Sequence, residues 1–169
     1  MPRPLPQKFY RRDACDVARG LLGKHLVMRS AGQRHAGMIT ETEAYCGPHD
    51  LACHASKGRT ARTEVMFGPP GYWYIYLIYG MYWCLNIVTE RKGYPAAALI
   101  RGVRPREGLP SATKTDGPGK LCRAFGIDKT LNGTPAFRAG ALLTIEESGE
   151  HVAAAEVHAT PRIGIEYDG

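Results

Sequence analysis

At 169 residues, with 44% hydrophobic and 22% charged side chains, the chain has the size of one domain and cannot be wholly disordered. Twenty glycines and twelve prolines are too many for a helical bundle and suit short strands joined by turns. Lysine and arginine number 22 against 16 acidic residues, and the net charge of +6 favours a polyanionic partner.

No repeat, low-complexity tract or linker divides the chain, so residues 1–169 are expected to form a single domain. The five cysteines (Cys15, Cys46, Cys53, Cys84 and Cys122) form no C-x-x-C pair. Residues 1–9 carry no apolar signal region, and together these features lead us to expect free thiols in a reducing compartment. Residues 13–22 have helical apolar spacing, with Asp13 as N-cap and Gly23 as stop. Strands are expected at 25–29 and 34–45, followed by a loop over 46–62. The uncharged stretch 65–89 has the length of a membrane span but not its character. Pro69, Pro70, Gly71, Gly80 and Asn86 interrupt it, and its tyrosines are not confined to two belts. It reads instead as paired strands, 72–78 and 81–89, turning at Tyr79-Gly80. A strand at 96–103 is expected to be central because it opens on five apolar residues. Residues 119–125 form a short helix closed by Gly126, and 142–146 and 162–165 are further strand candidates. The fold class is α+β: a single compact domain with a curved, mostly antiparallel β-sheet, a protruding β-hairpin and a few short flanking helices.

Strand alternation puts Tyr72, Tyr74 and Tyr76 on one face of the hairpin and Trp73, Ile75 and Leu77 on the other. On the return strand Tyr82, Cys84 and Asn86 share a face. Single tyrosines suit strands for packing alone, but a row of them ending in an asparagine is an unusual core, since each buried hydroxyl needs a partner. On a basic protein such a face suits stacked nucleobases, each worth about 1–3 kcal/mol. An aromatic at the hairpin tip, Tyr79, could wedge into a base stack.

On the earlier strand, alternation places Ile39, Glu41, Glu43 and Tyr45 together, the two carboxylates roughly 7 Å apart at their Cα atoms. Either carboxylate could act as general base, and Arg101, following the apolar run, could pair with one of them. The loop holding Cys46, His49, Cys53 and His54 contains four potential zinc ligands. Its spacing matches no standard knuckle, and adjacent Cys53-His54 suits one tetrahedral site poorly, so no metal is expected.

Several runs occur in order along the chain. They are Thr40-Glu41-Thr42-Glu43-Ala44-Tyr45, Gly47-Pro48, Ala52-Cys53-His54, Val65-Met66-Phe67-Gly68-Pro69-Pro70-Gly71, Tyr79-Gly80-Met81-Tyr82, Cys84-Leu85-Asn86, Leu99-Ile100-Arg101 and Gly117-Pro118-Gly119-Lys120-Leu121-Cys122. The ordered set resembles the alkyladenine (3-methyladenine, methylpurine) DNA glycosylase family over about residues 18–132, with a weaker echo at Pro161-Arg162-Ile163-Gly164.

The resemblance implies a monofunctional base-excision repair enzyme that needs no cofactor. It would act as a monomer on double-stranded DNA containing alkylated or deaminated purines, and away from membranes. It selects Glu43 over Glu41 as the base and makes Arg101 its partner in holding water. It assigns Tyr45, His54 and Tyr76 to sandwiching a flipped base, Tyr74 to bonding the histidine, and Asn86 to rejecting guanine. Tyr79 becomes the wedge, Met66 a contact to the opposite strand, and Lys120 a backbone contact. The backbone near Ile163 helps hold the water. A cytoplasmic protein on a bacterial nucleoid is expected, or a nuclear one in a eukaryote. A module that only stacks nucleic-acid bases is the alternative reading, and it would give Glu43 no role. The chain departs from the family pattern in a short 104–117 segment, in the 59–63 run, in its end at Gly169 and in the bulk of Tyr72 and Trp73.

Overall fold

The computed structural model describes residues 3–165. Near the start, a single helical turn, α1 (Gln7–Tyr10), buries Tyr10, and α2 (Ala14–Leu21) follows. The Asp13 carboxylate caps α2 by accepting from the Cys15 amide at 2.8 Å. Its buried residues, Ala14, Val17, Ala18 and Leu21, keep the spacing of one helical face.

Strands β1 (His25–Ser30), β2 (Gln33–Tyr45), β3 (Trp73–Ile78), β4 (Tyr82–Thr89), β5 (Ala96–Glu107) and β6 (Leu143–Glu146) form one six-stranded sheet in the order β3-β4-β5-β2-β1-β6. Every named pairing is antiparallel. The sheet curls into a half-barrel, and its edges approach closely: Trp73 on edge strand β3 donates its indole N–H to the carbonyl of Leu143 on the opposite edge at 3.0 Å. α2 covers β2, while α3 (Pro118–Phe125), ended by Gly126 in the left-handed region, packs on β4. Leu26, Ile39, Trp73, Leu85, Ile87, Ile100, Leu121 and Ile145 fill the main core between sheet and helices. Each such aliphatic side chain contributes about 1.5–3 kcal/mol by leaving water.

β5 is interior, as its apolar opening requires, but runs past Val103 to Glu107 through Pro105. Proline is tolerated there because, like the Val103 amide that bonds the Thr115 carbonyl, its nitrogen faces away from β2, on the side where the β4 ladder has already ended at Ile100. The 162–165 stretch is not a strand. Gly164, at φ +73°, belongs to a turn in which the Ile165 amide bonds the Arg162 carbonyl at 3.4 Å.

Alternation also fails within β2. The β2–β5 register shifts between Ile39 and Glu41 and again between Glu41 and Thr42. This irregularity sends Ile39 into the main core, opposite Glu41, Glu43 and Tyr45, rather than beside them. Thr42 and Ala44 turn toward α2 and the core. On the other face, a smaller cluster of Cys53, Ala55, Met66, Tyr74, Val88 and Ala97 supports a cleft. Among the described residues no helix is long and apolar enough to cross a membrane.

Candidate active site

The cleft has a volume of about 730 Å³, in the range of pockets that enclose small organic molecules. β2 supplies Glu43 and Tyr45, β4 supplies Cys84 and Asn86, and β5 supplies Leu99 and Arg101.

Glu43 is 8% exposed and is reached from three directions. The Tyr45 hydroxyl donates to Oε2 at 2.8 Å, and the Ile163 amide donates to Oε1 at 3.0 Å. The Arg101 Nε lies 3.4 Å from Oε1 and makes a shorter bond, 3.2 Å, to Glu41. The buried carboxylate therefore keeps ionic and hydrogen-bonding partners for its charge. Burial, together with the neighbouring Glu43 charge and the bond to it, pushes the Tyr45 hydroxyl pKa up, so Tyr45 stays a donor.

The aromatic wall is tightly linked. His54, on a 3₁₀ turn (His54–Lys57), shares a hydrogen between Nδ1 and the Tyr74 hydroxyl at 3.0 Å. Its ring packs edge-on against Tyr76 with centroids 4.4 Å apart, and the Tyr74 and Tyr76 rings lie 5.4 Å apart. Burial, then the nearby Arg62 and Lys57 cations, lower the His54 pKa, so the imidazole is neutral at pH 7. Burial pushes the Tyr74 hydroxyl up to about 12. Asn86 is buried, with its side-chain amide donating to the Tyr74 carbonyl at 3.2 Å and the Cys84 carbonyl at 3.5 Å. So held, it is a fixed obstacle in the cleft. Tyr72 leaves the tyrosine row and packs on Phe137 with centroids 5.6 Å apart. Tyr82 continues the wall instead, and Gly119 at the start of α3 allows its ring to sit close, since a Cβ there would meet Tyr82 at 2.9 Å.

The hairpin tip projects into solvent. Tyr79 is 83% exposed at φ +52°, Gly80 follows at φ +66°, and the Met81 amide bonds the Ile78 carbonyl at 3.1 Å. Met66, expected to reach an opposite strand, is only 2% exposed beneath the cleft, where it packs with Tyr74 and Val88. Among the described methionines the exposed one is Met81, at 65%, beside Tyr79; only the turn geometry distinguishes the two. Lys120 lines the cleft mouth and bonds Asp116 at 3.0 Å.

The four candidate zinc ligands turn to four different neighbours. Cys46 lies 3.6 Å from Cys15, His49 meets the Tyr94 hydroxyl, Cys53 contacts the Pro95 carbonyl, and His54 bonds Tyr74. No group of three metal-binding side chains converges among the described residues. Glu41, Asp50 and Arg162 are the site's polar neighbours that motif spacing could not assign. Asp50 and Arg162 are far apart in the chain and meet only in the folded protein, in a paired contact.

A half-barrel bearing a caged carboxylate beside an aromatic cleft defines a class of protein: one with room for a small organic molecule against a buried acidic side chain. Residues 8–169 match the family described as Methylpurine-DNA glycosylase (MPG), and the chain belongs to that family. It is 53% identical over 169 residues to a protein of Myxococcus xanthus, covering 98% of this chain and 84% of that one. It is 52% identical over 176 residues to a protein of Methanocella arvoryzae, covering 98% and 86% of the two chains. A Legionella pneumophila protein is 54% identical over 130 residues, covering 77% and 70%. All three carry the name "Putative 3-methyladenine DNA glycosylase". By family, then, this is a DNA glycosylase, an enzyme of DNA repair.

Proposed function

We propose that the protein is a monofunctional glycosylase that turns a damaged purine nucleotide out of duplex DNA and hydrolyses its N-glycosidic bond. The observation that carries this reading is Glu43, held in the cleft next to the tyrosine wall by Tyr45, Ile163 and Arg101. The substrate bases are 3-methyladenine, 7-methylguanine, hypoxanthine and ethenoadenine. The enzyme acts as a monomer in a bacterial cytoplasm.

As the base departs, the sugar carbon becomes oxocarbenium-like, and the Glu43 carboxylate stabilises that charge. Water attacks this carbon while the bond from carbon to purine nitrogen breaks, and Glu43 takes the water's proton. One carboxylate and one water give inversion by single displacement. No amine attacks the sugar, so the strand is left intact at an abasic site. An alkylated purine already carries positive charge and leaves readily; neutral hypoxanthine needs hydrogen bonds to its leaving form.

Tyr45 on one side, and His54 with Tyr76 on the other, sandwich the base. The neutral imidazole puts no second cation against an alkylated ring, and the tyrosine faces attract one. Asn86 stands where guanine's 2-amino group would intrude. Tyr79, with Met81 beside it, fills the gap in the base stack, and Lys120 grips phosphate on release from Asp116.

The test is incubation with duplex containing hypoxanthine or ethenoadenine, and with methylated duplex, followed by alkali. Strand breaks at the lesion are expected with the wild type. Glu43→Gln is expected to lose about 10²–10⁴-fold in rate while still binding lesion DNA. Tight lesion binding without breaks in the wild type would instead identify a base-stacking module.

A further inference from the structure

The Ile163 amide donates to Glu43, yet apart from the Arg162 side chain the segment that carries it has little hold among the described residues. Residues 158–161 are exposed, and the Ile163 side chain is 62% exposed, so apolar packing does not place that amide. Among the described residues, Ile165 bonds only back to Arg162 within the local turn. The neighbouring Arg162 side chain, by contrast, is deeply engaged. Its Nη1 donates to Asp50 Oδ2 at 2.6 Å and to the Ala44 carbonyl at 3.0 Å, and its Nη2 donates to Asp50 Oδ1 at 2.9 Å. The guanidinium also lies over the Tyr45 ring, 4.8 Å from its centroid.

Asp50 is equally committed. It is buried, and besides the guanidinium it accepts the Cys46 amide at 3.0 Å and the Ala52 amide at 3.1 Å. Those two bonds shape the turn that leads from Tyr45 to His54. One bidentate ion pair therefore spans both halves of the site. On one side it holds the backbone that fixes the carboxylate. On the other it holds the loop that delivers the imidazole to the aromatic wall.

We propose that Asp50 and Arg162 are positioning residues for base excision: their ion pair clasps the 161–165 segment over the cleft so that the Ile163 amide keeps Glu43 aimed at the sugar. This rests on Glu43 being the general base. Neither side chain need touch DNA. Arg162 acts through the next residue's amide and Asp50 through Arg162, so their loss shows in the chemical step rather than in binding.

The experiment compares the full-length wild type with Asp50→Asn, Arg162→Gln, Arg162→Lys, the Asp50→Asn/Arg162→Gln double variant and Glu43→Gln. The readouts are single-turnover release of methylated purines from dimethyl-sulfate-treated duplex, Kd for a duplex holding a tetrahydrofuran abasic site, and Tm. Each clasp variant is expected to lose about 10–100-fold in rate, the loss that a misplaced catalytic group produces. Kd is expected to stay within about threefold of the wild type. The double variant should be no slower than the worse single one, because the two residues act as one unit. Arg162→Lys keeps the charge but cannot span both carboxylate oxygens, so it should be slow even if the other variants fold poorly.

Clasp variants with wild-type rates, beside an inactive Glu43→Gln, would overturn the proposal and leave Glu43 as the base. Equal losses in Tm, Kd and rate would overturn it in favour of a purely structural pair. Full excision by Glu43→Gln would instead sink the assignment of the base. As an independent check on the wild type, the Ile163 amide should be protected from hydrogen exchange; exchange at the rate of an unstructured residue would also overturn the clasp.

Discussion

A side chain in this cleft is set as much by its neighbours as by its chemistry. Glu43 and Glu41 differ little in sequence, and both contact Arg101. Among the described residues, Glu43 alone of the two also receives a tyrosine hydroxyl and a backbone amide. His54 shows the same dependence in its titration. Burial foremost, then Arg62 and Lys57, lower its folded-state pKa from the ordinary 6.5. A depressed value means the folded protein binds this proton less readily than the unfolded chain. Its contribution is neutral above about pH 6.5, and stability is lost as pH falls through that value toward the lower folded-state one. In Tm measurements between about pH 7 and pH 5, the wild type should therefore lose more than His54→Gln. Parallel curves would show that the histidine is solvated and not buried against Tyr76.

At the scale of elements, the hairpin β3–β4 joins a rigid wall to an exposed tip. Tyr79 occupies a left-handed conformation that favours glycine, at a cost of about 1–2 kcal/mol for a residue bearing a Cβ. Replacement by glycine should thus raise stability in urea unfolding by up to about 1 kcal/mol. If Tyr79 is the wedge proposed above, the same variant should weaken binding to abasic-site duplex. Stronger or unchanged binding by Tyr79→Gly would remove Tyr79 from the DNA interface. The Tyr79-Gly80 turn was readable from the sequence. The irregularity in β2 was not, because no local spelling announces that alternation breaks between Ile39 and Thr42.

Across the whole molecule, a second buried ionic cluster lies away from the cleft, at the β6 edge of the sheet. On the far edge, Glu146 is fully buried and meets Arg29 at 2.5 Å and Arg34 at 3.2 Å, with the Thr144 hydroxyl at 3.1 Å. Burial alone would raise its carboxyl pKa, but the bonds from Arg29 and Arg34 outweigh burial and hold it below the usual 4.5. The stabilisation is complete above that unfolded-state value and is lost as pH falls through the lower folded-state one. Glu146→Gln should cost about 1–3 kcal/mol in urea unfolding, since it leaves arginine donors facing an amide. The arginines reach solvent, which limits the loss. Excision per folded molecule should be unchanged, and a large loss of rate would show that the β6 edge and the cleft are coupled.

The sequence alone determined the class of fold, nearly every strand, the cap and face of α2, the shared face of Tyr74 and Tyr76 and the family motifs. These rest on alternation, capping chemistry and short ordered runs, all of which are local. Only the tertiary structure decided that Ile39 turns inward, that Met66 is buried while Met81 is exposed, that 162–165 is a turn, and that Arg162 meets Asp50. A register shift, the depth of a side chain and an ion pair between residues 112 positions apart depend on where distant segments of chain come to rest, and no local pattern encodes that.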